Sequence, residues 1–269
     1  MIVMPAGRGM FAAGKGAAYT GPGDVVSGAA FWGGLRAYST ATIGDNAIRI
    51  RRSSDNTEAD VITLADGSLD VASVSTFIGG GNAFVHTIYD QSGNSRDSVA
   101  ASNAAQPQLI LSGLGSLPVM RFTYNAHSLQ SAGSVTRAQP LTHSAVAKRT
   151  SDTGSYHGIL SNGTHGTGFS NGANAFLMFA GSLPTAVAAD NTMHTFQAAF
   201  DGTSSVAYVD GGSTSMSPGT TALTGVYSVG AISGSGFGGD MCEVGEWLSK
   251  FDATQAGNMD ANQAAYWGI

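Results

Sequence analysis

Three carboxylates near the end of the chain are candidates for acid–base chemistry. Asp240, Glu243 and Glu246 fall in the segment 240–248, which has the composition of one β-strand. Glycoside hydrolysis uses two carboxyl groups, about 5–5.5 Å apart in retaining enzymes and about 6.5–9.5 Å apart in inverting ones. Side chains alternate along a strand, so Asp240 and Glu246 are expected on one face, roughly 20 Å apart, and Glu243 on the other. The strand alone provides no catalytic pair, and a partner such as Asp90 would have to approach through the tertiary fold.

Aromatic and amide side chains in the middle of the chain are candidates for sugar binding. Carbohydrate recognition needs an aromatic surface with hydrogen-bonding groups beside it, and loops at one end of a β-structure commonly carry function. The candidate carbohydrate-binding residues are Tyr124, Asn125, Tyr156, His157, Asn162 and Phe169. The alternative interpretation is that these are ordinary loop residues of a glycine-rich chain.

Metal and cofactor chemistry finds little support in the sequence. His157 and His165 flank a Gly/Asn-rich loop, but no adjacent Cys or acid completes a zinc set, which favours separate surface histidines. Asp90, Asn94 and Asp97 have the residue types of an oxygen-rich cation site, and a hydrogen-bonded turn explains them equally. No serine-hydrolase elbow or P-loop is present. We therefore expect no metal and no cofactor.

The composition excludes several classes of protein. The chain has 269 residues with 38 Gly, 1 Cys, 11% charged residues and a net charge of −6. The acidic balance argues against a nucleic-acid partner, and the chain has no run of about 18 apolar residues that would span a membrane. One Cys excludes a disulfide scaffold. What remains is a turn-rich protein whose polar surface comes from Ser, Thr, Asn and Gly.

The positions of apolar residues predict an all-β fold. Ile48 and Ile50 alternate with Arg49 and Arg51, as in a half-buried strand. Further strands are predicted at 83–89, 119–122, 144–147, 176–179, 195–200 and 206–209. Asp-Gly turns at 201–202 and 210–211 predict consecutive antiparallel strands. Turn signals every 8–15 residues predict a two-sheet antiparallel β-sandwich of jelly-roll type.

Two segments have the pattern of a short helix. The first follows a cap at 66–68, contains Leu69, Val74 and Phe77, and stops at the glycines 79–81. The second runs from 252 to 267 and aligns Ala256, Met259, Gln263 and either Tyr266 or Trp267 on one side.

Three segments of the first half resemble a known enzyme module. Residues 32–39 (WGGLRAYS), 47–55 (AIRIRRSSD) and 89–94 (YDQSGN) resemble the catalytic module of family B α-L-arabinofuranosidases and a group of bacteriophage virion proteins that share it. The opening 21–29 (GPGDVVSGA) resembles the phage members in particular. The second half, including 194–211 and 239–246, is similar to laminin-G-like and concanavalin A-like lectin domains. The resemblance implies a lectin-like sandwich.

The resemblance also shows where this chain departs from the hydrolases. The arabinofuranosidases carry one acid in a late Gly-Gly-Asp turn, which matches Gly238-Gly239-Asp240, and another in a middle strand. Residues 166–187 contain no Asp or Glu, and Cys242 is alone where those enzymes have a vicinal pair. Asp240 is thus the one weak catalytic candidate, and the pattern favours a protein without hydrolase activity.

The first 24 residues lack a sustained period and carry no readable targeting signal, so we expect an extended arm (1–24) before the lectin-like domain (25–269). One interpretation is a loose tail, and the other is an arm that docks on other virion proteins of a capsid or tail. The candidate docking residues are Met1, Ile2, Val3, Met4, Arg8, Phe11 and Tyr19.

These observations together predict a phage virion structural protein, either a capsid decoration protein or a head or tail fibre module. It would be assembled in the bacterial host cytoplasm, reside in the virion and form a symmetric homo-oligomer, preferably a trimer. Contact with host surface polysaccharide is a further expected role. The alternatives are a carbohydrate-binding adhesin and a glycoside hydrolase of the arabinofuranosidase type.

Overall fold

The computed structural model describes residues 18–150, 156–170, 175–182, 185–188, 190–232 and 235–269. Within them lie three α-helices, α1 (Pro22–Val25), α2 (Val71–Ile78) and α3 (Ala253–Trp267), and 3-10 turns at Thr40–Thr42, Asn103–Ala105 and Gly202–Ser204. The strands described in the first half are β1 (Ala29–Gly34), β2 (Asn46–Arg52), β3 (Glu58–Ile62), β4 (Ala83–Ile88), β5 (Ser98–Ala100), β6 (Gln108–Leu114), β7 (Leu117–Phe122), β8 (Leu129–Ser131) and β9 (Val135–Arg137). Those of the second half are β10 (Leu141–Arg149), β11 (His157–Ser161), β12 (Gly166–Phe169), β13 (Ala175–Phe179), β14 (Thr185–Ala188), β15 (His194–Phe200), β16 (Ser205–Val209), β17 (Gly212–Met216), β18 (Leu223–Gly225), β19 (Ser228–Val229), β20 (Ala231–Ile232), β21 (Ser235–Gly236) and β22 (Gly239–Trp247).

The strands form one large antiparallel assembly. Eighteen of them are hydrogen-bonded into a single nearly barrel-shaped sheet, and the pairs β9–β18 and β20–β21 form two small sheets. The predicted all-β class with short helices is confirmed. The predicted division into two packed sheets is not shown, because the pairings connect the main strands through β22, β7, β6 and β4 without a break.

Strand β22 lies at the centre of the sheet, and all nine of its residues are buried. One edge pairs with β10 over its whole length, and the other edge is shared by β1 and β7. A bulge interrupts the pairing with β10, since Met241 lies opposite Ala147 but Glu243 lies opposite Val146. One extra residue in a strand reverses the alternation of side chains beyond it.

The bulge corrects the predicted arrangement of the three acids. Asp240 lies opposite Lys148 and Glu243 opposite Val146, two residues apart on β10, so these acids share a face. Glu246, opposite His143, lies on the other face. The prediction that Asp240 and Glu246 share a face was wrong because it assumed unbroken alternation.

A fully buried ion pair ties β22 to the segment after β1. Arg36 donates to Glu243 as a fork, through Nε at 2.5 Å and Nη2 at 2.8 Å. Both side chains have 0% exposure. The guanidinium also lies 4.6 Å from the centre of the Tyr266 ring of α3. Burial opposes the charge of Arg36, yet Glu243 beside it raises its pKa above the ordinary value.

Helix α3 follows its prediction closely. Asp252 Oδ1 accepts from the Gln255 amide at 2.8 Å, Gln255 Oε1 accepts from the Asp252 amide, and Gly268 ends the helix in the left-handed conformation. The buried positions are Ala256, Met259, Gln263 and Trp267, which confirms the predicted stripe. Gln263 contributes a buried polar link, because it donates to Ser144 Oγ at 3.1 Å and accepts from Gln197 at 2.9 Å.

Helix α2 begins later than predicted. Its cap is Asp70, whose Oδ1 accepts from the Ser73 amide at 3.0 Å. Asp66 instead closes a turn by accepting from the Ser68 amide, so Leu69 precedes the helix. The predicted glycine stop is confirmed, since Gly79 follows the last helical residue with φ +56°.

Residues 18–25 pack against the domain instead of extending away from it. The Tyr19 hydroxyl donates to the Ala37 carbonyl, and its ring meets Tyr266 edge-on at 6.1 Å. Gly67 is required beneath this ring, because a Cβ there would lie 2.2 Å from a Tyr19 ring carbon. The Thr20 carbonyl accepts from Asn262 Nδ2 at 2.8 Å. This is where the structure places the last residues of the predicted arm, including α1.

Within the residues that the structure describes, no helix has the length and apolar character needed to cross a membrane.

Two of the forked arginine–carboxylate pairs, the buried Arg36–Glu243 and the exposed Arg49–Asp60, give a direct test of the buried one. Arg36→Met leaves Glu243 buried without its cation, and we expect a loss of about 3–5 kcal/mol in the free energy of unfolding. Arg49→Met breaks a similar fork between Arg49 and Asp60. The side chains of Arg49 and Asp60 are 40% and 33% exposed, so the substitution should lower the free energy of unfolding by less than about 1 kcal/mol. Urea denaturation measures both, and equal losses would contradict a structural role specific to the buried pair.

Candidate functional site

A pocket of about 410 Å³ opens where the β7–β8 turn, the β11–β12 turn and strands β19–β21 meet. We call it the neutral pocket, because none of the described residues that line it is Asp, Glu, Lys or Arg. Its lining residues are Asn125, Ala126, His127, Ser128, Gln130, Ser161, Asn162, Gly163, Val226, Ser228, Ala231, Ile232, Ser235 and Gly236.

The turn between β7 and β8 forms one wall of the neutral pocket. Asn125 adopts φ +58°, a conformation that Asn tolerates better than most residues. Its Oδ1 accepts from the Gly236 amide at 2.6 Å, which fastens the turn to β21. His127 Nδ1 accepts from the Thr123 amide at 2.9 Å, and this bond places the proton of the neutral ring on Nε2. Burial lowers the pKa of His127, so the neutral ring is favoured.

The turn between β11 and β12 forms a second wall. Asn162 Oδ1 accepts from the amides of Thr164 and His165 at 3.1 and 3.0 Å, and its Nδ2 donates to the Thr224 carbonyl. Ser161 Oγ donates to the Ala231 carbonyl at 2.8 Å. These side chains hold the wall in place and are largely occupied by the fold.

Other polar groups of the neutral pocket remain available to a ligand. Gln130 and Ser228 lie opposite each other on the paired strands β8 and β19. Neither side chain makes a hydrogen bond to another described residue, and the same holds for Ser128 and Ser235. An amide with both donors and acceptors, together with hydroxyls that do either, suits the hydroxyl groups of a neutral ligand. The described residues that line the pocket offer no carboxyl group to act as an acid or a base.

Asp240, the catalytic candidate, lies outside this pocket and is fully occupied by cations. Arg121 donates to both of its oxygens, at 2.8 and 3.0 Å, and Lys148 Nζ lies 3.4 Å away. The carboxylate has 0% exposure, whereas Arg121 is 47% exposed. Glu243 pairs with Arg36. Among the described residues, no other carboxylate shares Arg121 or Lys148 with Asp240. The geometry suits a structural anchor.

Of the six predicted sugar-binding residues, Asn125 and Asn162 line the neutral pocket. Tyr124 precedes Asn125, is half-buried, and places its ring 4.7 Å from that of His157. His157 and Phe169 have 0% exposure and belong to the interior, so the structure offers no ligand surface on either. Tyr156 is half-buried at the start of β11 and does not line the pocket.

Most of the predicted docking residues lie outside the residues that the structure describes. Met1, Ile2, Val3, Met4, Arg8 and Phe11 lie outside the described residues. Tyr19 is described, and its ring is packed between Gly67 and Tyr266.

The two remaining predicted clusters are structural. His165, expected at the surface together with His157, has 0% exposure, which corrects that prediction for both rings. Asp90 accepts from the amides of Trp32, Ser92 and Arg96, so the 90–97 segment is a hydrogen-bonded turn. No group of three or more His, Cys, Asp and Glu residues in the described ranges is arranged to hold a metal ion.

Sequence reasoning missed His127, Gln130 and Ser228 as pocket residues. Gln130 and Ser228 meet through the pairing of β8 with β19, which joins residues about a hundred positions apart. A two-residue strand such as β19 carries no periodic signal. The Asn-containing turns were the only local signal, and they indicated one side of the pocket.

No protein-family model matches the chain, and no curated protein matches it. Solved structures do. A GH54 α-L-arabinofuranosidase soaked with a cyclic sulfate inhibitor matches over 91% of this chain, with a TM-score of 0.68 and 13% identity. An arabinofuranosidase complexed with arabinofuranosyl-α-1,2-xylobiose matches over 91%, with a TM-score of 0.69 and 13% identity. This chain spans 65% of the length of either neighbour.

A smaller neighbour is domain 4 of an extracellular GH43 arabinanase from Geobacillus stearothermophilus, in complex with arabinotriose. It matches over 64% of this chain and 91% of its own length, with a TM-score of 0.50 and 9% identity. At these identities the likeness shows a common fold. The resemblance to arabinofuranosidases is thus confirmed at the level of the fold, and these structural neighbours are carbohydrate-active proteins.

The buried His165 predicts a pH dependence of stability. Burial and the neighbouring His143 lower the pKa of His165 to about 4. Between pH 6.5 and 4 the unfolded chain therefore binds the proton and the folded chain does not, so stability falls as the pH falls. From this residue we expect a loss of about 3 kcal/mol between pH 7 and pH 4.

Chemical denaturation across this pH range measures the effect. His165→Gln should remove that part of the slope, whereas the core substitution Ile159→Val should lower stability by about 0.5–1.5 kcal/mol at every pH. An unchanged slope in His165→Gln would show that His165 does not titrate as described.

Proposed function

We propose that this chain binds a neutral carbohydrate in the neutral pocket and does not hydrolyse it. The observation that carries the proposal is a pocket of about 410 Å³ whose described lining has amides, hydroxyls and one imidazole and no charged residue. Pockets of a few hundred Å³ suit small ligands. Neutral sugars are recognised through many hydroxyl groups, each of which donates and accepts, and the pocket offers the same neutral chemistry.

The polar groups of the pocket are distributed as sugar recognition requires. Gln130 and Ser228 project from adjacent strands, while His127 presents a ring on the turn between β7 and β8. The apolar contribution comes from Val226, which is 40% exposed, and from Ile232. Apolar contact to the C–H face of a sugar and hydrogen bonds to its hydroxyls would thus come from different walls.

The absence of hydrolysis follows from the use of the acids. Asp240 is engaged by Arg121 and Lys148, and protonating it to serve as an acid would break both interactions. The segment that carries the second acid in the resembled hydrolases has no Asp or Glu in this sequence. The carbohydrate-active neighbours support the sugar-binding part of the proposal through their common fold.

The biological setting that we propose is a phage particle, where the chain is a capsid decoration protein or fibre module with a lectin-like sandwich. The support is the resemblance of residues 21–29 and 89–94 to phage virion proteins. In this proposal a symmetric homo-oligomer, preferably a trimer, docks through residues 1–17 and presents the neutral pocket to host surface polysaccharide.

Substituting the cross-strand pair in the pocket tests the binding proposal. We expect an array of neutral glycans that includes arabinotriose and xylobiose to identify a ligand, with affinity then measured by calorimetry. The double variant Gln130→Ala/Ser228→Ala should weaken binding by roughly tenfold or more, because two hydrogen bonds worth about 1 kcal/mol each are lost. Neither side chain holds the fold through a hydrogen bond to a described residue, so stability should change little.

The matched control is Thr136→Ala/Thr224→Ala, an exposed cross-strand pair of β9 and β18 outside the pocket lining, which should leave binding unchanged. No bound glycan, or equal losses in both double variants, would contradict the proposal. Release of reducing ends from arabinoxylan that disappears in Asp240→Asn would contradict the non-hydrolytic part.

A truncation tests the virion part of the proposal. Because residues 18–25 pack on the domain, deletion of residues 1–17 should leave the folded domain intact and abolish its incorporation into particles. Particle composition by mass spectrometry, with circular dichroism as the folding check, measures the effect. Unchanged incorporation of the truncated chain would exclude docking through this segment.

A further inference from the structure

A second pocket, of about 380 Å³, has the opposite electrostatic character. It lies where the start of β1, the turn after β4, strand β9 and the residue after β22 meet. Two arginines, Arg96 and Arg137, line it together with Ser92, Asn94 and Leu248. Among the described residues, no carboxylate belongs to the lining, and none lines both this pocket and the neutral pocket. We call it the arginine pocket.

Arg137 is held in place from behind by a buried acid. Its Nε donates to Glu246 Oε2 at 3.2 Å, and the side chains are 11% and 2% exposed. Burial opposes ionisation of Glu246, but His143 and Arg137 together lower its pKa below the ordinary value, so it remains a carboxylate. This contact is a single hydrogen bond and not a fork, and the terminal nitrogens of Arg137 make no bond to another described residue.

Arg96 is placed by its backbone, while its guanidinium makes no hydrogen bond or ion pair with another described residue. Its amide donates to Asp90 Oδ2 at 2.9 Å, and the preceding Ser95 adopts φ +55°, which turns the chain sharply. Nε of Arg96 is buried without a hydrogen-bond acceptor, and no carboxylate of the described residues forms an ion pair with this guanidinium. A buried charged donor without an acceptor is costly, so an anionic acceptor beside this Nε would be stabilised.

The other residues that line the arginine pocket favour a ligand that has hydroxyl groups and an apolar face as well as a negative charge. Asn94 Nδ2 donates to the Ala29 carbonyl at 3.1 Å and to Ser92 Oγ at 3.0 Å, which orients the amide and leaves Oδ1 as an acceptor. Leu248 is 53% exposed, more than any other large hydrophobic side chain in the described part of the chain. An acceptor, a hydroxyl and an apolar surface beside two guanidinium groups match a ring that carries both hydroxyls and a carboxylate.

We propose that the arginine pocket binds the carboxylate of an acidic monosaccharide unit, such as a uronic acid. Glu246 pairs with Arg137, whereas the Arg96 guanidinium forms no ion pair with a described carboxylate and is the group that the ligand carboxylate would pair with. Guanidinium groups bind planar carboxylates through charge-assisted hydrogen bonds, and these are stronger than bonds between neutral groups. The site is independent of the neutral pocket and does not rest on the proposed function.

The experiment titrates the full chain with glucuronate and galacturonate, followed by NMR. Glucose and galactose are the matched neutral sugars, and acetate and inorganic phosphate are the matched simple anions. We expect the uronates to shift the Arg96 Nε–H and Leu248 methyl signals, and the neutral sugars to leave them unchanged. Added salt should weaken the uronate shifts because the interaction is ionic.

Arg96→Gln should weaken uronate binding by about tenfold or more, since a charge-assisted hydrogen bond is lost. It keeps the amide that donates to Asp90. Arg49→Gln removes the same charge from an exposed site and should have no effect. Uronates that shift neither signal, or equal loss in both variants, would overturn the proposal. Acetate or phosphate binding as tightly as the uronates would overturn the sugar part. The wild-type shifts decide the question even if Arg96→Gln does not fold.

Discussion

The bulge in β22 is the constraint on which the arrangement of charge depends. Without it, strict alternation would place Asp240 with Glu246 and direct Glu243 to the opposite face. With it, Asp240 meets Arg121 and Lys148, and Glu243 meets Arg36. A buried carboxylate that loses its cation is strongly destabilising, so a one-residue slip of this strand is penalised at several positions at once. The ion pairs therefore specify the register of the strand at the centre of the sheet.

The acids of β22 all serve as partners of basic side chains in the described structure. In an acidic hydrolase site, one carboxyl group must exchange a proton during the reaction. Here the carboxylates of the central strand pair with arginine and lysine side chains, and the described lining of the neutral pocket contains no carboxylate. The chain has few charged residues, and those of β22 form ion pairs with side chains of neighbouring elements.

Local signals in the sequence were sufficient to predict the elements whose ends are fixed by capping or turn residues at those ends. The Asp252–Gln255 capping box and Gly268 define α3, and Asp210-Gly211 closes the β16–β17 hairpin because both residues adopt positive φ. The start of α2 was misplaced because Asp66 and Asp70 are both credible caps. The bulge gave no local signal because it arises only where β22 pairs with β10; at that point the Cys242 carbonyl accepts from the amide of Leu35, which follows β1. The turns of Asn125 and Asn162 were found, but His157 and Phe169 lie on short strands whose inward face no pattern reveals.

The residues that line the neutral pocket come from elements other than those that hold the centre of the fold. Its lining is drawn from turns and from short strands, and β1, β10, β22 and α3 contribute no residue to it. The elements that carry the buried ion pair and the capped helix are thus distinct from those that would touch a ligand. Substitutions in the turns can alter the shape and polarity of the pocket while the frame keeps its stability, since surface changes usually have small energetic effects. The pocket and the frame thus draw on different elements, so the polarity of the pocket can be changed separately from the buried ion pair and the capped helix.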